Sequence, residues 1–242
     1  MADLTAECLR VNGRLRDVTL RAPSGQVLGL IGPNGAGKST LLMALAGLLS
    51  ANGSVRLGDT DLHAIPLRDR ARRIGYLPQQ GRSAWALTVH DVVALGRLPW
   101  QDQDEAAIDE ALQATGVEPL RDRPIDALSG GEQARVWLAR VLAGRPDVLL
   151  ADEPLASLDL FHQQQVAQAL RTYASQGHVV VLAIHDLSLA ARYCDRLMLM
   201  QQGQCVACGT VTDVLTTDQL SAVYGVPVWV DLSGQPPVVL AR

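Results

Sequence analysis

The chain is 242 residues long, 48% apolar, with a formal net charge of −4. That length suits one α/β domain with a smaller insertion, and it is apolar enough for a packed core. The acidic balance argues against a non-specific electrostatic grip on nucleic acid, so no nucleic-acid partner is expected. The longest apolar stretches, residues 41–46 and 179–184, fall far short of the roughly 20 residues of a bilayer span. Asp3 and Glu7 stand where a secretory leader would be basic, so a soluble, cytosolic chain is expected.

In chain order, residues 4–11 and 15–22 predict two strands joined through Asn12-Gly13 as a hairpin, and residues 54–57 add a strand to that sheet. Residues 27–31 form a short apolar strand, followed at once by a Gly-rich loop and a helix predicted over 39–49. From Thr88 the pattern turns helical, with helices over 89–95 and 104–115, and residues 81–141 read as a mainly helical insertion. Strands return at 147–151 and 178–184, and a last hairpin, 196–200 with 204–207, turns at Gln202-Gly203. This alternation argues for a mostly parallel, twisted sheet covered by helices on both faces.

Gly32-Pro33-Asn34-Gly35-Ala36-Gly37-Lys38-Ser39-Thr40 fits the phosphate-loop pattern G-x-x-x-x-G-K-[ST] in its required strand–loop–helix setting. Glycines let backbone N–H groups curl around phosphates, and the following helix directs its partial positive end at them. Lys38 would reach the β- and γ-phosphates and the Ser39 hydroxyl would ligate Mg²⁺. Lys38 is also the only lysine; the other twenty of the twenty-one basic residues are arginine. Residues 148–153 form an apolar strand ending in two acids. Asp152 is placed to organise the Mg²⁺ shell, and Glu153 to polarise an attacking water as general base.

Leu128-Ser129-Gly130-Gly131-Glu132-Gln133 precedes a helix expected to begin near Ala134. Ser129 there is either a plain helix cap or part of a second anion site. One nucleotide does not need two such sites from one subunit. The pattern makes sense if two copies pack head-to-tail, each Ser129 loop closing over the other's γ-phosphate.

The order of these motifs, with Gln79, Leu158-Asp159 and His185, resembles the nucleotide-binding subunits of ABC transporters over essentially the whole chain. The resemblance implies an α/β P-loop NTPase (RecA-like) core, residues 1–80 and 142–242, with an N-terminal antiparallel β subdomain and an inserted α-helical subdomain at 81–141. It implies that Gln79 senses Mg²⁺ and water, that Asp159 contacts the opposing subunit, and that His185 touches the γ-phosphate. Its cofactors would be ATP and Mg²⁺. Its partners would be a second copy, transmembrane permease subunits and, indirectly, a substrate-binding protein, with the chain peripheral at the cytoplasmic face of the membrane.

Residues 92–99 and the tail 206–226 resemble importer ATPases for iron–siderophore, haem and cobalamin complexes. An exporter subunit and a soluble non-transport ATPase are the competing readings. Family members usually stack an aromatic residue on adenine, but none precedes Tyr76 here, and the corresponding region offers Leu9, Arg10 and Val11. Residues 68–73 read as a solvated basic face, Cys205 and Cys208 as small apolar strand residues. Trp85 and Trp100 are either permease-facing or packed inside.

Overall fold

The computed structural model describes residues 2–79, 87–156 and 158–241. The N-terminal hairpin forms as predicted from β1 (Leu4–Val11) and β2 (Leu15–Ala22), with a bulge at Cys8 that restores the inward position of Leu9. β3 (Val27–Ile31) leads through the Gly-rich loop into α1 (Lys38–Leu45). β4 (Asn52–Leu57) and the short β5 (Thr60–Asp61) complete a four-stranded antiparallel sheet ordered β2-β1-β4-β5.

α2 (Leu67–Arg73) and β6 (Ile74–Leu77) come next, then α3 (Val89–Ala94), α4 (Glu105–Ala114) and α5 (Gly130–Ala143). The chain then alternates through β7 (Val148–Asp152), α6 (Leu160–Ser175), β8 (Val179–Ala183) and α7 (Leu187–Tyr193). It ends with β9 (Arg196–Gln201), β10 (Gln204–Thr210), α8 (Val211–Val214), α9 (Thr217–Tyr224), β11 (Val228–Asp231) and β12 (Val238–Ala241).

The central sheet is ordered β10-β9-β3-β8-β7-β6, parallel except for β10. β3, β7 and β8 are buried along their whole length, so they read as continuous apolar runs rather than alternating ones. Their side chains divide by strand period. Val148 and Leu150 face α1 and the antiparallel sheet, while Leu149 and Ala151 face the helices of the other side. α1 therefore lies sandwiched between two sheets, through Leu41, Leu42 and Leu45. That sandwich is what fixes the Gly-rich loop.

Three local features differ from the sequence reading. α1 stops at Leu45 rather than running to 49, and the Leu48 and Leu49 amides fold back onto the Met43 carbonyl. α5 begins at Gly130, four residues early, because Ser129 and Glu132 form a capping box. The hairpin β11–β12 has no counterpart in the expected elements.

The basic run 68–73 is not simply solvated. Arg68 and Arg72 donate to the Pro99 carbonyl at 2.9 and 3.0 Å, and Arg73 pairs with Asp147 at 2.8 Å. Trp100 stays 36% exposed while Arg72 and Arg97 flank its ring and its indole N–H donates to the Gly144 carbonyl at 3.0 Å, so both alternatives for it stand. Trp85 lies outside the described residues.

Candidate active site

The loop after β3 is shaped by contacts that exclude side chains. A Cβ on Gly32 would lie 2.1 Å from the Met200 carbonyl oxygen of β9, and Gly32 itself has φ +142°. Gly37, at φ +103°, caps α1 without a side chain, which leaves the first-turn amides of that helix aimed into the loop.

Lys38 opens α1. It is 6% exposed, and its ammonium donates to the carbonyls of Gly32 at 2.7 Å and Pro33 at 3.2 Å. Burial lowers its pKa, opposed by the carboxylates of Glu153 and Asp152. Residues Asn34 to Thr40 line a cavity of about 260 Å³ whose other walls are Glu153, His185, Gly13 and Arg14.

Asp152 is the last residue of β7 and is buried, with the Ser39 hydroxyl against its carboxylate. Burial raises its pKa most, Ser39 lowers it, and neighbouring Glu153 raises it. Its Oδ1 is buried with no hydrogen-bond partner, an arrangement that a cation beside Ser39 would satisfy. Glu153 then turns out of the strand at φ +53°. Its Oε2 accepts from Gln79 Nε2 at 2.8 Å, and its Oε1 is hydrogen-bonded to His185 Nε2. Gln79 follows the end of β6 and His185 follows β8, so three neighbouring strands deliver the three side chains to one sheet edge.

Ser129, Gly130, Gly131 and Asp159 do not line this cavity. Ser129 caps α5: its hydroxyl accepts from the Glu132 amide at 3.3 Å and donates to the Glu132 carboxylate at 2.8 Å. Hydrogen bonds from Ser129 hold the Glu132 carboxyl below its usual range. A Cβ on Gly130 would meet nothing within 4 Å, so the start of α5 stands open on the surface. Asp159 caps α6 through the His162 amide at 2.8 Å, which lowers its pKa, and it lies within electrostatic reach of Arg135 on α5.

Of the residues that the resemblance sets toward the nucleotide base, none of Leu9, Arg10 and Val11 lines the cavity. Leu9 is buried, and Arg10 is tied to Asp17 in an exposed ion pair. Gly13 and Arg14, at the hairpin tip, reach the cavity instead. The tip is carried there by backbone bonds from Arg16 N to Gly203 O (2.8 Å) and from Gly203 N to Ala36 O (3.0 Å). The Asn12-Gly13 turn marks a hairpin, but that bridge is visible only in three dimensions. Cys205 is half-buried against the apolar core, its thiol pushed up to about 11 by burial, whereas Cys208 is exposed rather than packed. Among the described residues no group of three or more His, Cys, Asp or Glu side chains is placed to hold a metal.

A family model described as ABC transporter matches residues 15–156. A hemin import ATP-binding protein, HmuV, of Rhodococcus jostii is 47% identical over 220 residues, covering 88% of this chain and 75% of that protein. The HmuV protein of Pseudomonas fluorescens Pf-5 is 45% identical, covering 94% of each. A cobalamin import ATP-binding protein, BtuD, of Halobacterium salinarum is 43% identical over 87% of this chain and 54% of its own length. Among solved structures, a metal-chelate type ABC transporter in an inward-facing conformation superposes with a TM-score of 0.86 over 100% of this chain and 98% of its own, at 24% identity. The mixed sheet, the antiparallel sheet and the phosphate loop share that fold. The chain belongs to the ABC transporter family, as an ATP-binding subunit that hydrolyses ATP.

Proposed function

We propose that this chain drives a membrane importer of a metal chelate, of the hemin or cobalamin kind, by closing as a head-to-tail homodimer over two ATP molecules. The cargo rests on the hemin and cobalamin import proteins it resembles. The observation that carries the chemistry is Glu153, held between Gln79 and His185 at the wall of the Lys38 cavity.

Gly32 to Thr40 bind the triphosphate, with Lys38 on the β- and γ-oxygens. Ser39, Asp152 and Gln79 hold Mg²⁺, which when bound neutralises charge on the phosphates. Glu153 accepts a proton from the attacking water, oriented by Gln79, while His185 sits toward the γ-phosphate. Ser129, Gly130, Gly131 and Asp159 serve the partner's nucleotide, which accounts for their place outside the chain's own cavity. Core residues 1–80 and 142–242 carry the phosphate loop and the carboxylates, and the helical unit 81–141 carries Ser129.

In this reading the membrane work falls to separate permease subunits, with this chain peripheral at the cytoplasmic face; no helix of the described residues is long and apolar enough to cross a membrane. Glu153→Gln keeps the side-chain shape and removes the base. Steady-state hydrolysis should fall by about 10²-fold or more while ATP binding persists and the dimer accumulates in light scattering. Parental hydrolysis by the variant would refute the assignment.

A further inference from the structure

The C-terminal hairpin reaches back to the segment that carries His185. β11 and β12 pair only with each other, so the outer side of β12 has no strand neighbour. In an antiparallel pair, alternate residues turn both backbone polar groups away from the partner strand. Val239, opposite Val230, is such a residue, and the Ser188 side chain of α7 stands in for the missing strand. The Val239 N–H donates to Ser188 Oγ at 3.0 Å, and the Ser188 hydroxyl donates back to the Val239 carbonyl at a longer 3.5 Å. A hydroxyl suits this place because it accepts and donates at once. Val228 and Val239 are buried in the same apolar cluster as Ala190 and Tyr193 of α7, so the hairpin belongs to the core as well.

Ser188 lies three residues after His185, and the chain around that histidine is fixed on both sides. Before it, the Ile184 amide donates to the Leu30 carbonyl of β3 at 3.0 Å. After it, Asp186 caps α7: its carboxylate accepts from the Leu189 amide and its carbonyl from the Ala190 amide, each at 2.9 Å. Ser188 sits in that same first turn and is held by β12. His185 is therefore the one residue between a strand end tied to β3 and a helical turn tied to the hairpin. Its own side chain is 43% exposed, so packing of the ring does not fix where Nε2 meets Glu153. The backbone on either side does. Such placement matters, because a catalytic group displaced by about 1 Å can lose about 10²-fold in rate.

We infer that Ser188 is a positioning residue for ATP hydrolysis, holding the start of α7 against the C-terminal hairpin so that His185 meets Glu153 and the γ-phosphate. The inference rests on the reading of His185 as a γ-phosphate residue. It adds a role for the hairpin, which with α7 lies outside the family-matched residues 15–156.

The test uses the full chain with Mg²⁺ and ATP, well below the melting transition. Ser188→Ala removes the hydroxyl and should lower kcat roughly 3- to 10-fold, while calorimetric affinity for the non-hydrolysable analogue AMP-PNP stays within about twofold. Ser188→Thr and Ser188→Val match each other in shape and differ only in the hydroxyl. Threonine should keep the parental kcat and valine should lose it as alanine does, a comparison that also decides the matter if the alanine variant does not fold. In a His185→Ala background, Ser188→Ala should change the residual kcat less than about 1.5-fold, because the group it positions is gone. A purely structural serine would lower the rate by the same factor with or without His185.

Parental kcat in Ser188→Ala and Ser188→Val, or an undiminished effect of Ser188→Ala in the His185→Ala background, overturns the inference. A His185→Ala chain that hydrolyses ATP at the parental rate would instead sink the reading of His185, and this inference with it.

Discussion

At the residue scale, the candidate chemistry depends on a few side chains whose surroundings do most of the tuning. Asp152 and Glu153 are adjacent in sequence yet sit in different environments. Asp152 ends a buried strand with an orphaned oxygen, while Glu153 turns through a positive φ into two hydrogen bonds. Their types and order were legible in the sequence, because an apolar run ending in two acids beside a phosphate loop has few other uses. The place of Arg14 was not legible. Arg14 reaches the cavity only because the hairpin tip is bridged to the loop through Gly203. A guanidinium over an aromatic base contributes about 0.5–2 kcal/mol. Arg14→Ala should therefore weaken ATP binding roughly 3- to 10-fold and leave inorganic tripolyphosphate binding unchanged. Equal weakening of both in a competition titration would make Arg14 a phosphate contact instead.

At the scale of elements, caps and strand ends were readable and cross-element clasps were not. Thr88, Ser129 and Thr210 each open a helix with a capping box, a local pattern that a sequence carries in four residues. The arginines of α2 carry no such mark, and their spacing suits a solvated face equally well. The fold turns them toward Pro99 and Trp100, joining α2 to the chain around Arg97 and Gly144. Arg97 itself is buried and held by Asp102 at 2.7 Å and by the Ala143 carbonyl at 3.1 Å. Trp100→Ala removes the ring from between two guanidinium groups and one hydrogen bond, a loss of about 2–3 kcal/mol. Thermal unfolding should begin roughly 5–10 °C earlier. A shift under about 2 °C would show that the clasp adds little.

At the scale of the whole molecule, one cavity holds only part of the residues that the motifs nominate. Ser129, Gly130 and Asp159 are exposed and Gly131 is half-buried, all at helix starts outside the Lys38 cavity, and a two-fold partner is the proposed way to bring them to a phosphate. Mixing Lys38→Ala chains with Ser129→Arg chains tests this. Each variant alone should be inactive, but half of randomly mixed dimers carry one site with neither defect, so hydrolysis should recover to about a quarter of parental. A mixture as inactive as its components would argue that each chain works alone.

The sequence by itself determined the phosphate loop, the strand–loop–helix around it and the paired acids, because these depend on neighbours within a few positions. Tertiary structure alone decided that Arg14 rims the cavity and that Trp100, still 36% exposed, is flanked by Arg72 and Arg97. Those contacts join segments far apart in the chain, and their energy comes from packing geometry that no local pattern encodes.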